Sequence, residues 1–182
     1  MNVAPAQTVL RQKTDQILRE LGIDPAVIAA RSLPFFEDID ASQLVVAETD
    51  ETGKAHRLTA PATAAWQKMK QAAQQDGVEL LLVSAWRSLE YQKGLIRLKQ
   101  LAGIAPEAIF TSLAPPGCSE HHTGRAVDIN TPGCDEVTGI FGDTAAFRWL
   151  SRNAPRFGFT LSFAPDNPWG FIYEPWHWCW NP

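Results

Sequence analysis

No stretch of this 182-residue chain approaches the ~20 consecutive apolar residues that a membrane-spanning helix needs, so no helical membrane span is expected. Positive charge is scarce too. The 16 Lys and Arg stand against 20 Asp and Glu, a net charge of −4, which leaves no basic footprint for nucleic acid or an anionic lipid surface. Cysteine numbers only three, an odd count. Cys118 and Cys134 are expected either to pair in an oxidising compartment or to be two buried thiols, with Cys179 left over. Met1 to Glu20 scatters charges where a secretory leader would carry its apolar core, so the chain reads as soluble and cytoplasmic. Histidine is also sparse, with four in all, and where they fall matters more than their number.

Three of the four sit in two short clusters, and His56 does not. The first cluster is Ser119-Glu120-His121-His122-Thr123-Gly124-Arg125-Ala126-Val127-Asp128, with a histidine and an aspartate seven residues apart. The second is Glu174-Pro175-Trp176-His177, almost at the C-terminus. Catalytic zinc takes three protein ligands and keeps a fourth position open for water. A spare carboxylate beside it serves as general base. His121, Asp128 and His177 therefore read as ligands and Glu174 as the base. His122 is an alternative to His121 at this stage.

The length suits one domain with a real core. Apolar spacing and stop signals predict a helix over 6–21 ended by Gly22, and a short one from Asp24-Pro25 through Arg31. Residues 35–60 carry one strand at Leu44–Glu48 and a turn at Asp50–Gly53. An Ala-rich helix runs from Thr59-Ala60-Pro61 to about Gln75, closed by Gly77. Glu79 to Ala85 is a nearly continuous apolar run, read as a buried central strand. Arg87 follows at its end, placed to stabilise developing negative charge. Ser88 can cap a helix to about Leu101 whose first turns hold Tyr91 and Gln92, both read as facing the cleft. Residues 102–117 look irregular and pocket-shaping. Arg125–Ile129 is a strand with Ala126 and Asp128 on one face, 131–142 a loop, 144–153 a helix and 158–163 a strand. From Trp176 onward alternation puts Trp176, Trp178 and Trp180 on one side, read as core, and His177 and Cys179 on the other, with His177 facing the site. Pro175 breaks the pairing, which leaves Glu174 on the bend before that strand. Five of the seven tryptophans lie in the last third and suggest an aromatic wall near the C-terminal cluster.

Three pieces in order, Ser84-Ala85-Trp86-Arg87-Ser88-Leu89-Glu90-Tyr91-Gln92, Ser119 to Asp128, and Glu174-Pro175-Trp176-His177-Trp178, resemble the D-alanyl-D-alanine carboxypeptidases of the VanY type. These are zinc peptidases that share a fold with the Hedgehog signalling domain. The resemblance covers roughly 55–181. It implies an α+β fold with a small central antiparallel sheet flanked by helices and a 59–182 peptidase core; residues 1–58 carry no such match and read as a helical accessory segment packed on that core. The family pattern selects His121 over His122. It assigns Arg87 and Gln92 to substrate contact, and Ser119 to substrate or to orienting a ligand. It commonly has an arginine where Cys179 stands here. Cys179 is then a pocket wall, or a thiol that approaches the zinc.

The implied activity is a Zn2+-dependent carboxypeptidase acting on the D-Ala-D-Ala end of a peptidoglycan stem peptide or muropeptide, by a monomeric protein. Such a substrate lies outside the inner membrane, at odds with the cytoplasmic reading. Rival readings are an L,D-carboxypeptidase, an L-Ala-D-Glu endopeptidase, or a non-catalytic zinc-containing binding domain with a cysteine as fourth ligand.

Overall fold

Alternation across three short strands decides where the functional groups of this chain can go. A computed structural model describes residues 5–182. Within it, β3 (Leu81–Ser84), β4 (Ala126–Asn130), β5 (Phe159–Leu161) and β6 (His177–Trp180) form an antiparallel sheet in the order β3-β4-β6-β5. Leu82, Val127, Ile129 and Trp178 turn to one face. There they meet Ala62, Trp66, Met69 and Ala73 of α3 (Ala60–Gln75) and Ala146, Trp149 and Leu150 of α6 (Ala145–Asn153). Asp128 and His177 are buried as well, and His177 lines a cleft with residues of the opposite layer.

That layer is built from α1 (Pro5–Glu20), α2 (Ala26–Ala29), α4 (Leu89–Leu101) and α5 (Pro106–Ile109). Ile17, Leu18 and Leu21 pack there with Leu89, Ile96, Ile109, Phe163 and Phe171 in a second apolar cluster. Thr59, Ser88 and Thr144 cap α3, α4 and α6, each hydroxyl accepting a first-turn N–H. A hairpin, β1 (Leu44–Thr49) and β2 (Ala55–Thr59), closes over Asp50, whose carboxylate accepts from Thr52 N, Lys54 N and His56 Nε2. The fourth histidine is thus a hairpin residue. Among the described residues no helix is long and apolar enough to cross a membrane.

Four expectations change. The 79–85 run is not a central strand: β3 is the sheet's edge in hydrogen-bonding order. Leu80, Leu82 and Ala85 of the run are buried in the core and β2 lies alongside, with Trp86 N donating to Arg57 O. Residues 35–60 hold a second strand, β2, and the second helix stops at Ala29. The irregular 102–117 stretch contains the single-turn helix α5. Trp176 and Trp178 belong to the core, as the strand alternation implies, and Phe163 and Phe171 line the cleft.

Arg31, just beyond α2, ties the second layer together. Its Nε donates to Trp169 O at 2.7 Å, its Nη1 to Phe110 O at 2.6 Å, and the guanidinium lies 4.4 Å from the Phe171 ring centre. Charged donors to carbonyls are worth more than neutral ones. Arg31→Ala is therefore expected to lower the free energy of unfolding by about 2 kcal/mol, read from the urea midpoint at unchanged slope.

Candidate metal centre

Strand register puts three side chains in a row. Asp128 pairs with Ser84 on one side and His177 on the other. His121 arrives from the 3-10 turn Glu120–Thr123, which Ser119 caps by accepting from His121 N. Gly124 ends that turn at φ +65°, and a Cβ there would come within 2.6 Å of Leu44 Cδ2, so the left-handed reversal needs glycine. The result is that ligand atoms of His121, Asp128 and His177 all lie within 4.8 Å of one another, with each residue buried.

The two imidazoles are held in different states. His121 Nδ1 donates to Ala85 O at 2.6 Å, which leaves Nε2 with its lone pair toward Asp128. Burial, helped by the Arg87 charge, lowers its pKa to about 4, so it is neutral at pH 7. His177 lies between two carboxylates, with Nδ1 3.0 Å from Asp128 Oδ1 and Nε2 2.9 Å from Glu120 Oε2. Burial opposes its charge, but these bonds outweigh burial and push it up to about 10. Burial would also raise the Asp128 carboxyl, yet His121 and the Arg87 guanidinium hold it well below the usual range.

Arg87 Nη2 donates to Asp128 Oδ2 at 2.7 Å and lies 2.6 Å from His121 Nε2. The lone pairs of two candidate ligands thus converge on one point, and that point already accepts positive charge. Two imidazoles and a carboxylate at one point, with no cysteine in the group, fit a three-ligand zinc site. Once those two acceptors are engaged by an ion, the guanidinium is free for the cleft it lines.

Glu174 reaches the same cleft from a turn closed by His177 N donating to Glu174 O. That i to i+3 reversal brings it beside His177, which strict strand alternation would forbid. Its carboxylate is buried and has no hydrogen-bond partner among the described residues, and burial pushes its pKa up to about 7. Gln92, fully buried, accepts from Arg87 Nη1 at 3.4 Å and donates to Ala114 O at 2.7 Å. Tyr91 is half exposed and lies outside the cleft lining, because adjacent helix positions point about 100° apart. Ser119 is buried and lines the cleft.

His122 is occupied elsewhere: Nδ1 donates to Arg87 O at 2.7 Å and Nε2 accepts from Gly117 N at 3.1 Å. All three cysteines are free. Cys118 packs in the second cluster and Cys134 against the first. Burial raises the Cys179 thiol to about 12, and it sits by Glu120 instead of among the cleft-lining residues.

Glu120 is the residue that sequence reasoning passed over. It is held by Ser162 Oγ, which donates to its Oε2 at 2.6 Å, and it takes the outer N–H of His177. A carboxylate on the far nitrogen fixes the tautomer and raises the basicity of a ligating histidine. Glu120→Gln is therefore expected to weaken Zn2+ binding by about 10- to 100-fold, measured by competition with a chromogenic chelator. Unchanged affinity would remove Glu120 from the centre.

The arrangement has relatives. Residues 55–182 match the family described as VanY, D-alanyl-D-alanine carboxypeptidase. A D-alanyl-D-alanine carboxypeptidase of Enterococcus faecalis is 32% identical over 140 residues, covering 71% of this chain and 50% of that protein. The crystal structure of the vancomycin-resistance D,D-pentapeptidase VanY from a VanB-type cassette, in complex with Zn(II), aligns at 30% identity with a TM-score of 0.62. It covers 83% of this chain and 88% of that one. The LD-carboxypeptidase LdcB aligns at 29% identity with a TM-score of 0.69, over 79% of this chain and 70% of that one. The chain spans about half the length of the curated relatives it matches. With the family match spanning most of its length, and a buried His-Asp-His group beside Glu174 and Arg87, the chain belongs to the VanY family of D-alanyl-D-alanine carboxypeptidases.

Proposed function

We propose that the protein is a zinc-dependent carboxypeptidase that removes the terminal D-alanine from peptidoglycan stem peptides ending in D-Ala-D-Ala. The observation that carries this reading is Glu174, a buried carboxylate with no hydrogen-bond partner among the described residues, beside a convergent His121-Asp128-His177 group. A structural metal site has no use for such a group. His121, Asp128 and His177 would hold a zinc ion, which would supply Lewis-acid polarisation and a water pKa lowered from 15.7 to about 7.

The protein's own residues divide the remaining work. Glu174 takes a proton from the attacking water and passes it to the leaving amine nitrogen. Arg87 meets the negative charge that develops on the carbonyl oxygen, or the substrate's terminal carboxylate. Cys179 stands where the family commonly has arginine, and Arg87 is the cleft-lining residue with a fixed positive charge among those described. Gln92 holds the Arg87 guanidinium against the 112–114 wall. Ser119, through its cap, fixes the turn that carries His121.

The LdcB alignment, at a TM-score above that of VanY, favours a second reading as an L,D-carboxypeptidase on the same substrate class. Zinc-loaded protein is incubated with defined penta- and tetrapeptides and the products are weighed. Release of D-alanine from the pentapeptide is the expected result. Release from the tetrapeptide alone transfers the assignment to L,D cleavage, and a cut between L-Ala and D-Glu makes it an endopeptidase. Intact peptides with zinc bound would leave a non-catalytic binding domain.

A further inference from the structure

The family match begins at residue 55, yet an earlier segment runs through the centre. Phe36 N donates to Gly117 O at 2.7 Å and Ile39 N to His122 O at 3.0 Å, so the strap from 36 to 39 is sewn to the turn that carries His121. Between those two bonds Asp38 reaches the other side. Its Oδ2 accepts from Leu89 N at 2.9 Å and its Oδ1 from Trp86 Nε1 at 3.2 Å. The carboxylate therefore grips the two residues that flank Arg87-Ser88. From behind, α1 presses on the same loop: Thr14 Oγ1 donates to Pro116 O at 2.7 Å, and a Cβ on Gly117 would overlap that hydroxyl.

These bonds close a ring. The strap holds His122, His122 Nδ1 donates to Arg87 O, Arg87 N donates to His121 O at 3.4 Å, and Trp86 and Leu89 return to Asp38. Leu89 N is one of the four first-turn donors that an α-helix leaves unpaired, and Leu89 is buried, so water is a poor substitute for Asp38. A carboxylate also suits the positive end of α4. Without it the corner from Trp86 to Leu89 loses an anchor at both ends, and the long Arg87 side chain hangs from that corner.

We propose that Asp38, from the segment preceding the family-matched region, is a positioning residue that fixes the Trp86–Leu89 corner and so aims Arg87 into the cleft. This rests on the reading of Arg87 given under Proposed function. Misplacement of a catalytic group by about 1 Å can cost on the order of 100-fold in rate. Asp38→Ala is accordingly expected to lower kcat/KM on the D-Ala-D-Ala pentapeptide by about 10- to 100-fold. Zinc affinity, by chelator competition, should stay within about two-fold, the scatter of independent sites.

The decisive measurement is the cycle of Asp38→Ala, Arg87→Ala and the double variant. In the Arg87→Ala background the Asp38 substitution should change kcat/KM by no more than about two-fold. Trp86→Phe, which removes only the indole donor, should reproduce part of the loss. Asp38→Asn keeps an acceptor for Leu89 N and carries the same cycle if Asp38→Ala does not fold. The proposal is overturned if the two losses multiply, if zinc affinity falls in parallel, or if the Asp38 variants keep full activity while Arg87→Ala loses it. Full activity of Arg87→Ala itself marks a different failure, that of the Arg87 role, and takes this proposal with it.

Discussion

Glu174→Gln is expected to lose about 10²- to 10⁴-fold in kcat while its zinc content, by atomic absorption, stays that of the parent. Glutamine keeps the shape of the side chain and removes only its ability to accept and return a proton. Two further readouts separate a base from a packing residue. First, the carboxylate is buried and has no hydrogen-bond partner among the described residues, so its ionised form is a burden on the fold. The variant should therefore melt at the parent's temperature or slightly above it, the usual trade of stability against activity. Second, burial raises the carboxyl from 4.5 to about 7, and a cation nearby pulls it part of the way back. A base must be ionised to work. The acid limb of the parent's kcat/KM profile should thus fall between 4.5 and about 7, with activity lost as pH drops through it. Near-full activity, or a Tm drop without a rate loss, would falsify the assignment.

How much of this was legible in the chain depends on what kind of signal each residue leaves. His121, Asp128, His177 and Glu174 sit at short fixed spacings inside two strings, and β4 and β6 do obey the alternation that puts Asp128 and His177 on the face away from Val127 and Trp178. The bend at Pro175 was readable because proline cannot continue a ladder. Glu120 was not, although it lies inside the first string. On a 3-10 turn neighbouring residues point about 120° apart, and nothing in one sequence says that Glu120 faces His177. An acid next to a candidate ligand is the hint the sequence offers. The position of β3 is not legible in the sequence, because an apolar run reports burial and is silent on which strand lies next to which. The strap at 36–39 leaves no periodic trace at all. Its contribution is made through main-chain donors and one carboxylate whose partners are fifty residues away.

Zinc loading of the metal-free protein near pH 7.5 should release about one proton, and Asp128→Asn should abolish both that release and the activity. The proton comes from His177. His121 is already neutral, with its pKa lowered to about 4, and Asp128 is ionised, whereas the carboxylates on either side of His177 keep its ring charged up to about 10. A ligand nitrogen must give up its proton, and Nδ1 is the one that faces Asp128 while Glu120 retains the N–H at Nε2. Calorimetric titrations in two buffers of different ionisation enthalpy read the number directly. A value near zero means that His177 is neutral beforehand or is not a ligand. Asp128→Asn removes more than a donor atom, because Arg87 and the charged His177 then face a neutral amide from within a buried site. Breaking such a pair from one side costs about 3–5 kcal/mol, so the metal-free variant should also unfold at lower urea. Its loss of zinc affinity should exceed that of Glu120→Gln, since Glu120 acts on the ion only through His177 and Asp128 touches both His177 and the site of positive charge itself. Equal losses for the two variants would mean that the ion sits nearer Glu120 than the convergence of His121, Asp128 and His177 allows.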